Sequence, residues 1–265
     1  MRSCFLMAVI VLATVADGAH ADLIAFWHFE EPSGSFVRDS VNGHHGTATA
    51  DVLPSTDCPS LVPGNTYSRS FPGYYSAGGI FVPDHDELDL TGDFTIEMWA
   101  YRVEGGSTFI ISKHRHTYNG DGSWGMEWAG PDQSQVQFNL YGPIVRVQSD
   151  PGVIPLEDWF HLALTYNEPT DRYDYYVNAQ PAGGGAAGIS GHVNNTGWPV
   201  GFGQIYAHPT CYGGMLDEIQ IWNEYRTQTQ IAQDMVAPVP APGAVVLGVI
   251  GLGFANWRLR QRSEL

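Results

Sequence analysis

Hydrophobic and polar positions alternate along Phe94 to Tyr101, FTIEMWAY, placing Phe94, Ile96, Met98 and Ala100 on one face and Thr95, Glu97, Trp99 and Tyr101 on the other. A period of two is that of a β-strand, and the aromatic and β-branched content suits an interior strand of a large antiparallel sheet. The same grammar recurs on both sides of this stretch. Leu23 to Glu30 reads as a first strand closed by the turn cluster Glu31 to Ser35, and short strands are expected at Arg69 to Tyr75 and Gly79 to Pro83. Later strands are expected at Thr108 to Lys113, Ser123 to Ala129, Gln135 to Tyr141 and Ile144 to Gln148. They continue at Trp159 to Asn167, Tyr173 to Asn178, Gly201 to Tyr206 and Gly214 to Trp222. Gln180 to Ser190, with glycines at 183, 184, 185 and 188, reads as a mobile loop. Only Thr227 to Met235 reads as a helix, with Thr227 as its N-cap. Turn signals recur at the spacing of an all-β sandwich.

The two ends have a different composition. Arg2, the apolar run Cys4 to Ala16 and the Ala19-His20-Ala21 cleavage pattern make residues 1–21 a secretory signal peptide. Pro238-Val239-Pro240-Ala241-Pro242-Gly243 forms a stiff hinge (236–243), followed by the apolar run Ala244 to Trp257 and by Arg258, Arg260 and Arg262. That run is short for a bilayer, which takes about 20 apolar residues, and tilt or arginine snorkelling relaxes the limit. Between the ends, Asp22 to Pro242 holds 8 cations against 26 anions, a net charge of −18. Such a surface repels phosphate backbones and excludes nucleic acid as a partner. The acidity also permits divalent cation sites, although a solvated surface that keeps an exported protein soluble explains it more simply.

Four ordered blocks carry a resemblance. AFWHFEEPSGSFVRDSVNGHHGT, LDLTGDFTIEMWAY, DWFHLALTYN with YYVNAQ, and GGMLDEIQIWNEYRTQTQI occur in the order seen in laminin-G-like (concanavalin A-like) jelly-roll domains of bacterial secreted proteins. The resemblance covers Leu23 to Met235 and implies one antiparallel two-sheet jelly-roll sandwich over residues 22–235. Asn178-Ala179 departs from the Asp-Gly or Asn-Gly of that family; alanine disfavours the positive φ of a type I′ turn, so another turn is expected there. The tail, 244–265, resembles the PEP-CTERM sorting segments of bacterial exported proteins, with Ala241 where that motif has Glu. The resemblance implies cleavage by an exosortase-type enzyme, transient contact with the inner membrane and association with envelope and exopolysaccharide. A permanent C-terminal transmembrane helix is the alternative.

The chemistry-bearing residues point to recognition more than to catalysis. Laminarinase-like relatives place paired carboxylates on one strand as Glu-x-Asp-x-x-Glu, and no such run occurs here; Glu97 has Trp99 and Tyr101 at i+2 and i+4. Asp84, Asp86, Glu87 and Asp89 read as solvated turn residues, and Asp217-Glu218, being adjacent on a strand, are expected to point to opposite faces. Sugars stack their CH faces on aromatic rings while amides and carboxylates read hydroxyls. Tyr118, Asp121, Trp124, Trp128, Trp198 and Tyr206 offer that combination, with Trp124 and Trp128 equally suited to the core, where Trp27, Trp99, Trp159 and Trp222 belong. Asp39, Asn42 and Asp217 supply hard oxygen ligands for Ca²⁺, or Asp39 and Asn42 simply cap the Asp39 to Gly46 turn. His44-His45 and His114/His116 read as polar packing rather than zinc ligands.

Cys58 and Cys211 remain once Cys4 leaves with the signal peptide; they form a disulfide closing 153 residues, worth on the order of 5 kcal/mol in the chain-entropy model, or stay as two buried thiols. The functions left open are a non-catalytic polysaccharide or glycoconjugate binder, a glycan hydrolase or lyase with an atypical site, and a structural protein-binding surface protein. If residues 1–21 are the signal peptide, N-terminal sequencing of the exported protein will begin at Asp22; a chain that retains Met1 would refute that cleavage.

Overall fold

A computed structural model describes residues 23–73, 78–103, 109–115, 122–130, 132–141, 145–189, 196–207 and 212–237. The expected signal peptide and the apolar tail lie outside the described residues. Among those described, no helix is long and apolar enough to cross a membrane. The strands are β1 Leu23–Trp27, β2 Phe36–Val37, β3 Gly46–Ala48, β4 Leu53–Ser55, β5 Ser68–Pro72, β6 Ile80–Val82, β7 Phe94–Arg102 and β8 Phe109–His114. They continue as β9 Gly122–Ala129, β10 Gln135–Leu140, β11 Val145–Gln148, β12 Trp159–Asn167, β13 Arg172–Val177, β14 Gln180–Ala186, β15 Val200–Phe202 and β16 Gly213–Trp222. A short 3-10 turn, Asp86–Leu88, precedes β7, and helix α1, Gln228–Asp234, follows β16.

Two eight-stranded antiparallel sheets pack face to face as a jelly-roll sandwich. The first runs β14, β13, β12, β7, β16, β5, β4, with β1 also joined to β16; the second runs β11, β10, β9, β8, β15, β6, β3, β2. Directly paired residues share a face, so the registers define the core. In the second sheet the paired row Val147, Phe138, Met126, Ile111, Phe202, Ile80 and Ala48 points inward, and each member is buried. From the first sheet Phe94, Ile96, Met98 and Ala100 meet it, as their alternation predicts.

Strand β16 changes partner along its length. Gly213 to Leu216 pairs with β5, whereas Ile219 to Trp222 pairs with β1. At the junction Glu218 has φ 48°, and the register against β7 slips by one between Asp217 and Gln220. This is a β-bulge, which breaks the alternation of side chains. Asp217 and Glu218 are therefore not on opposite faces: Asp217 pairs with outward-facing Trp99, and Glu218 meets the outward His28.

Helix α1 covers the outer face of the first sheet. Its N-terminus carries a capping box between Thr227 and Gln230, and Ile231 packs on Ala163, Tyr176 and Ala179. That packing explains the turn at Asn178-Ala179, where both residues have positive φ, 51° and 57°, in a two-residue hairpin of type I′. The turn is the one alanine disfavours, but the Ala179 methyl is buried against the helix and its carbonyl accepts from Gln228 Nε2 at 2.9 Å. Gln180 to Ala186 is likewise strand β14 rather than loop, its glycines lying flat beside Tyr173 and Asp174 of β13.

Of the four tryptophans expected in the core, only Trp27 lies between the sheets; Trp99 is buried on the outer face, its Nε1 donating to the Met235 carbonyl at 3.1 Å after α1. Trp159 and Trp222 are half-buried on the outer face, where Trp159 Nε1 donates to Asp57 at 2.8 Å and the Arg226 guanidinium stacks 3.7 Å over Trp222. Cys58 is half-buried after β4, near Asp217, while Cys211 lies outside the described residues.

Truncating Ile231 empties the centre of the small helix-to-sheet core, so Ile231→Ala should cost about 2–5 kcal/mol in urea unfolding, without loss of far-UV β signal. A cost under about 1 kcal/mol, the range of surface substitutions, would show that α1 does not anchor this face.

Candidate functional site

The outer face of the second sheet follows from the same registers. Arg146, Asn139, Gly125, Ser112, Gly201, Phe81, Thr47 and Phe36 are paired in turn across all eight strands and face away from the core. The middle of this row is glycine and serine, and other segments pack over it: the Phe109 ring lies against Gly125 and the Gln204 backbone against Gly201. Ser112 and Ser123, both buried, have no hydrogen-bond partner for their hydroxyls among the described residues.

One flank is a polar ladder. Gln137 Nε2 and Asn139 Nδ2 donate to Glu127 Oε1 at 3.1 and 2.9 Å, and Gln148 Nε2 donates to Gln137 Oε1 at 2.6 Å. Burial raises the Glu127 pKa, and the amide donors and Arg146 oppose that shift. Sequence reasoning missed these residues. The signal was available in β9, where Gly125 and Glu127 alternate with the apolar Trp124, Met126 and Trp128.

The other flank is aromatic. Trp198 and Tyr206 stack with centroids 6.1 Å apart, Arg115 lies 4.8 Å over Trp198, and Phe81 meets Tyr206 edge-on at 5.7 Å. Tyr206 is 40% exposed and Trp198 half-buried, so the pair presents ring surface to solvent. The structure thus brings together two of the expected aromatic contacts. It removes two others: Trp124 and Trp128 are core residues, 0% and 2% exposed, and Trp124 Nε1 donates inward to the Leu88 carbonyl at 2.9 Å. Tyr118 and Asp121 lie outside the described residues.

The expected Ca²⁺ ligands are not brought together. Asp39 Oδ1 accepts from the backbone N–H of Phe26 and Val41, and Oδ2 from those of Asn42 and His44, at 2.8–3.1 Å, so both oxygens already hold the loop. Asn42 Nδ2 donates to the Ile24 carbonyl. Asp217 lies across β1 from Asp39, because Trp27 pairs with Ile219 on one edge and bridges Asp39 on the other. Its carboxyl accepts from Asn65 Nδ2 at 2.8 Å. The turn-capping alternative is the one realised for Asp39.

The carboxylates of Glu97 and of Asp217 and Glu218 are closed off from solvent. Glu97 is 0% exposed beneath α1, close to Arg226 (3.7 Å) and His161 (3.6 Å). Burial pushes its pKa well up, and burial alone lowers that of His161 to about 3. Asp217 and Glu218 share a face but are also buried, and burial raises both, Glu218 to about 9. Of the turn carboxylates expected to be solvated, Asp84, Asp86 and Glu87 are exposed, but Asp89 is buried and paired with Lys113, the only lysine, which Asp84 also meets at 2.6 Å. A separate cavity of ≈ 660 Å³ opens at the sandwich rim between Ile24, Asn42, Glu87, Asp93, Phe94 and Asn223.

A family profile described as the concanavalin A-like lectin/glucanases superfamily matches residues 73–232, more than half of the chain. This chain belongs to that superfamily. No curated protein sequence matches it. Among solved structures, this concanavalin A-like chain is similar to the binding domain of Paraclostridial Mosquitocidal Protein 1, with a TM-score of 0.60, 13% identity, and coverage of 80% of this chain and 51% of that one. It is similar to domain 4 of AbnA, an extracellular GH43 arabinanase from Geobacillus stearothermophilus solved with arabinotriose, with a TM-score of 0.56, 16% identity, and coverage of 81% and 98%. It is also similar to Trypanosoma rangeli sialidase solved with the inhibitor DANA, with a TM-score of 0.56, 17% identity, and coverage of 81% and 33%. The chain thus spans about half of the toxin structure and a third of the sialidase. At these identities the likeness is one of fold, and the fold is shared by binding domains and by parts of glycosidases.

The His28 and Glu218 pair gives this concanavalin A-like domain a pH signature. His28 Nδ1 lies 3.1 Å from both Glu218 oxygens, and burial lowers the His28 pKa to about 4 while raising that of Glu218 to about 9. Folded, the pair holds one proton from about pH 4 to 9, whichever atom carries it. Unfolded, it holds none above the ordinary histidine pKa of about 6.5. The folded state therefore binds more protons between pH 6.5 and 9, and stability falls there by up to ~1.4 kcal/mol per pH unit. Glu218→Gln should remove this increment in urea titrations at pH 6.5 and 8.5; an unchanged slope would show that the pair does not hold the proton.

Proposed function

We propose that the protein is an exported, envelope-associated recognition module that binds polysaccharide or glycosylated surface components without catalysis. The observation that carries this reading is the solvent-facing Trp198 and Tyr206 stack on the outer face of the second sheet. Two coplanar-tending rings fit the apolar CH face of a sugar. The Glu127, Gln137 and Asn139 ladder provides both donors and acceptors for sugar hydroxyls. Net charge of −18 over 22–242 favours neutral glycans over uronic or sulfated ones.

Membership of a superfamily of lectins and glucanases is compatible with this reading, as is the likeness to an arabinanase domain solved with arabinotriose. The domain organisation proposed is signal peptide 1–21, jelly roll 22–235, hinge 236–243 and sorting segment 244–265, the last bringing the chain to an exosortase-type enzyme at the inner membrane. The sealed position of Glu97 argues against the hydrolase alternative, since no glycan reaches a carboxyl under α1.

Pull-down on neutral and acidic polysaccharides tests the proposal. Trp198→Ala and Tyr206→Ala should each weaken retention on neutral glycan by about tenfold, which corresponds to ~1.4 kcal/mol. Trp124→Ala is a poor probe because it excavates the core, at a cost of about 3–5 kcal/mol. Retention on no glycan, or retention indifferent to both Trp198→Ala and Tyr206→Ala, would overturn the assignment.

A further inference from the structure

We propose that His44, His85 and Glu87 form a binding site for a zinc-class divalent ion at the rim of the sandwich, distinct from the outer face of the second sheet. One ligand atom from each residue lies within 4.8 Å of the others. Glu87 Oε2 stands 2.8 Å from His44 Nε2 and 3.6 Å from His85 Nδ1, and the two imidazole centroids are 4.5 Å apart. Around a tetrahedral Zn²⁺ with bonds of about 2.0–2.1 Å, neighbouring ligand atoms sit ~3.3 Å apart. The three groups are thus within a side-chain adjustment of coordinating geometry.

The site has one fixed ligand and two adjustable ones. His44 is buried; its backbone N–H donates to Asp39 Oδ2 at 2.8 Å, and its carbonyl accepts from Trp27 Nε1 at 2.8 Å. The Asp39 loop therefore fixes the position of this imidazole. His85 and Glu87 have side chains about half exposed (51% and 50%) on the 3-10 turn before β7, free to close on an ion. Binding through His85 Nδ1 displaces only the long 3.3 Å bond that this nitrogen accepts from the Glu87 N–H.

The donor set selects the ion. Two imidazoles and one carboxylate suit Zn²⁺, Ni²⁺ or Cu²⁺, whereas Ca²⁺ takes six to eight oxygens. Coordination through His44 Nε2 takes the place of the 2.8 Å hydrogen bond between this nitrogen and Glu87. Three protein ligands leave a fourth position open to water or another oxygen donor. The ion joins two segments remote in sequence, the Asp39 to Gly46 loop and the turn at 85–88. Asn42 and Glu87, which belong to these segments, also line the rim cavity.

The test is calorimetric titration of the tag-free, chelator-stripped full-length chain with Zn²⁺, and in parallel with Ca²⁺, together with thermal melts. One Zn²⁺ per chain is expected, with a raised melting midpoint and no competition from Ca²⁺. Two variants at exposed positions decide the site: His85→Asn keeps an acceptor for the Glu87 N–H but removes the imidazole, and Glu87→Gln keeps a partner for His44 but removes the charge. Each should weaken Zn²⁺ binding by at least roughly 10–100-fold, the cost of losing even an outer partner of a metal ligand. No Zn²⁺ uptake, uptake that both variants leave unchanged, or displacement of Zn²⁺ by Ca²⁺ would overturn the proposal.

Discussion

Strand β16 holds the molecule together because it is paired with three other strands. It lies beside β7 over most of its length, and its other edge is shared by β5 in the first half and β1 in the second. A continuous strand cannot serve two partners on one edge without a local change of twist, and the bulge at Glu218 supplies it. The extra residue has consequences for charge as well as shape. It turns Glu218 toward His28 while Asp217 reaches Asn65, so two adjacent carboxyls are buried on one side of the sheet. Burial raises the pKa of both, because two uncompensated charges in so poorly solvated a place are costly.

The outer face of the second sheet, the proposed recognition face, rests on the alternation that builds the core. In β9 the residues Trp124, Met126 and Trp128 fill the space between the sheets, which obliges Ser123, Gly125 and Glu127 to face outward. The paired strand β10 repeats this with Val136 and Phe138 inward and Gln137 and Asn139 outward. A rigid apolar row thus positions a polar one, and the amides on Glu127 are held by one another instead of by mobile loops. Gly125 and Gly201 leave room at the centre of the face for the segments that pack over it. A side chain at either would run into neighbours already in place, Phe109 at the first and the Gln204 backbone at the second.

Period-two patterning made most of the strands legible in the sequence, as well as the inward row of β7 and the capped helix. What it could not show depended on positive φ or on distance. Ala179 adopts a conformation that alanine disfavours because Ile231, more than fifty residues later, buries its methyl. Glu218 breaks alternation at a bulge that no glycine marks. Trp124 and Trp198 looked alike in sequence, each an aromatic beside polar residues, yet one fills the core and the other lies at the surface. Asp39 looked like a cation ligand because it sits among Asx and glycine residues; that same composition lets four backbone N–H groups converge on its two oxygens. The His44, His85 and Glu87 cluster spans two segments separated by four strands in chain order, so no spacing rule reveals it.

The disposition of carboxylates also bears on recognition against catalysis. Two-carboxylate hydrolysis requires a pair about 5–9 Å apart, open to substrate and holding different protonation states. Here Asp39 is engaged by the backbone, Glu97 is sealed under α1, and Asp217 and Glu218 are buried in the sheet with their pKa values raised in the same direction. Arg226 shows how firmly Glu97 is enclosed. Its guanidinium bonds Asp234 at 2.6 and 2.9 Å, also meets Glu224, stacks on Trp222 and approaches Glu97, fastening the helix over the carboxyl. Opening that lid would break a buried ion pair, at roughly 3–5 kcal/mol. Glu127, on the outer face, is only partly buried, and its carboxylate is held by the Gln137 and Asn139 amides.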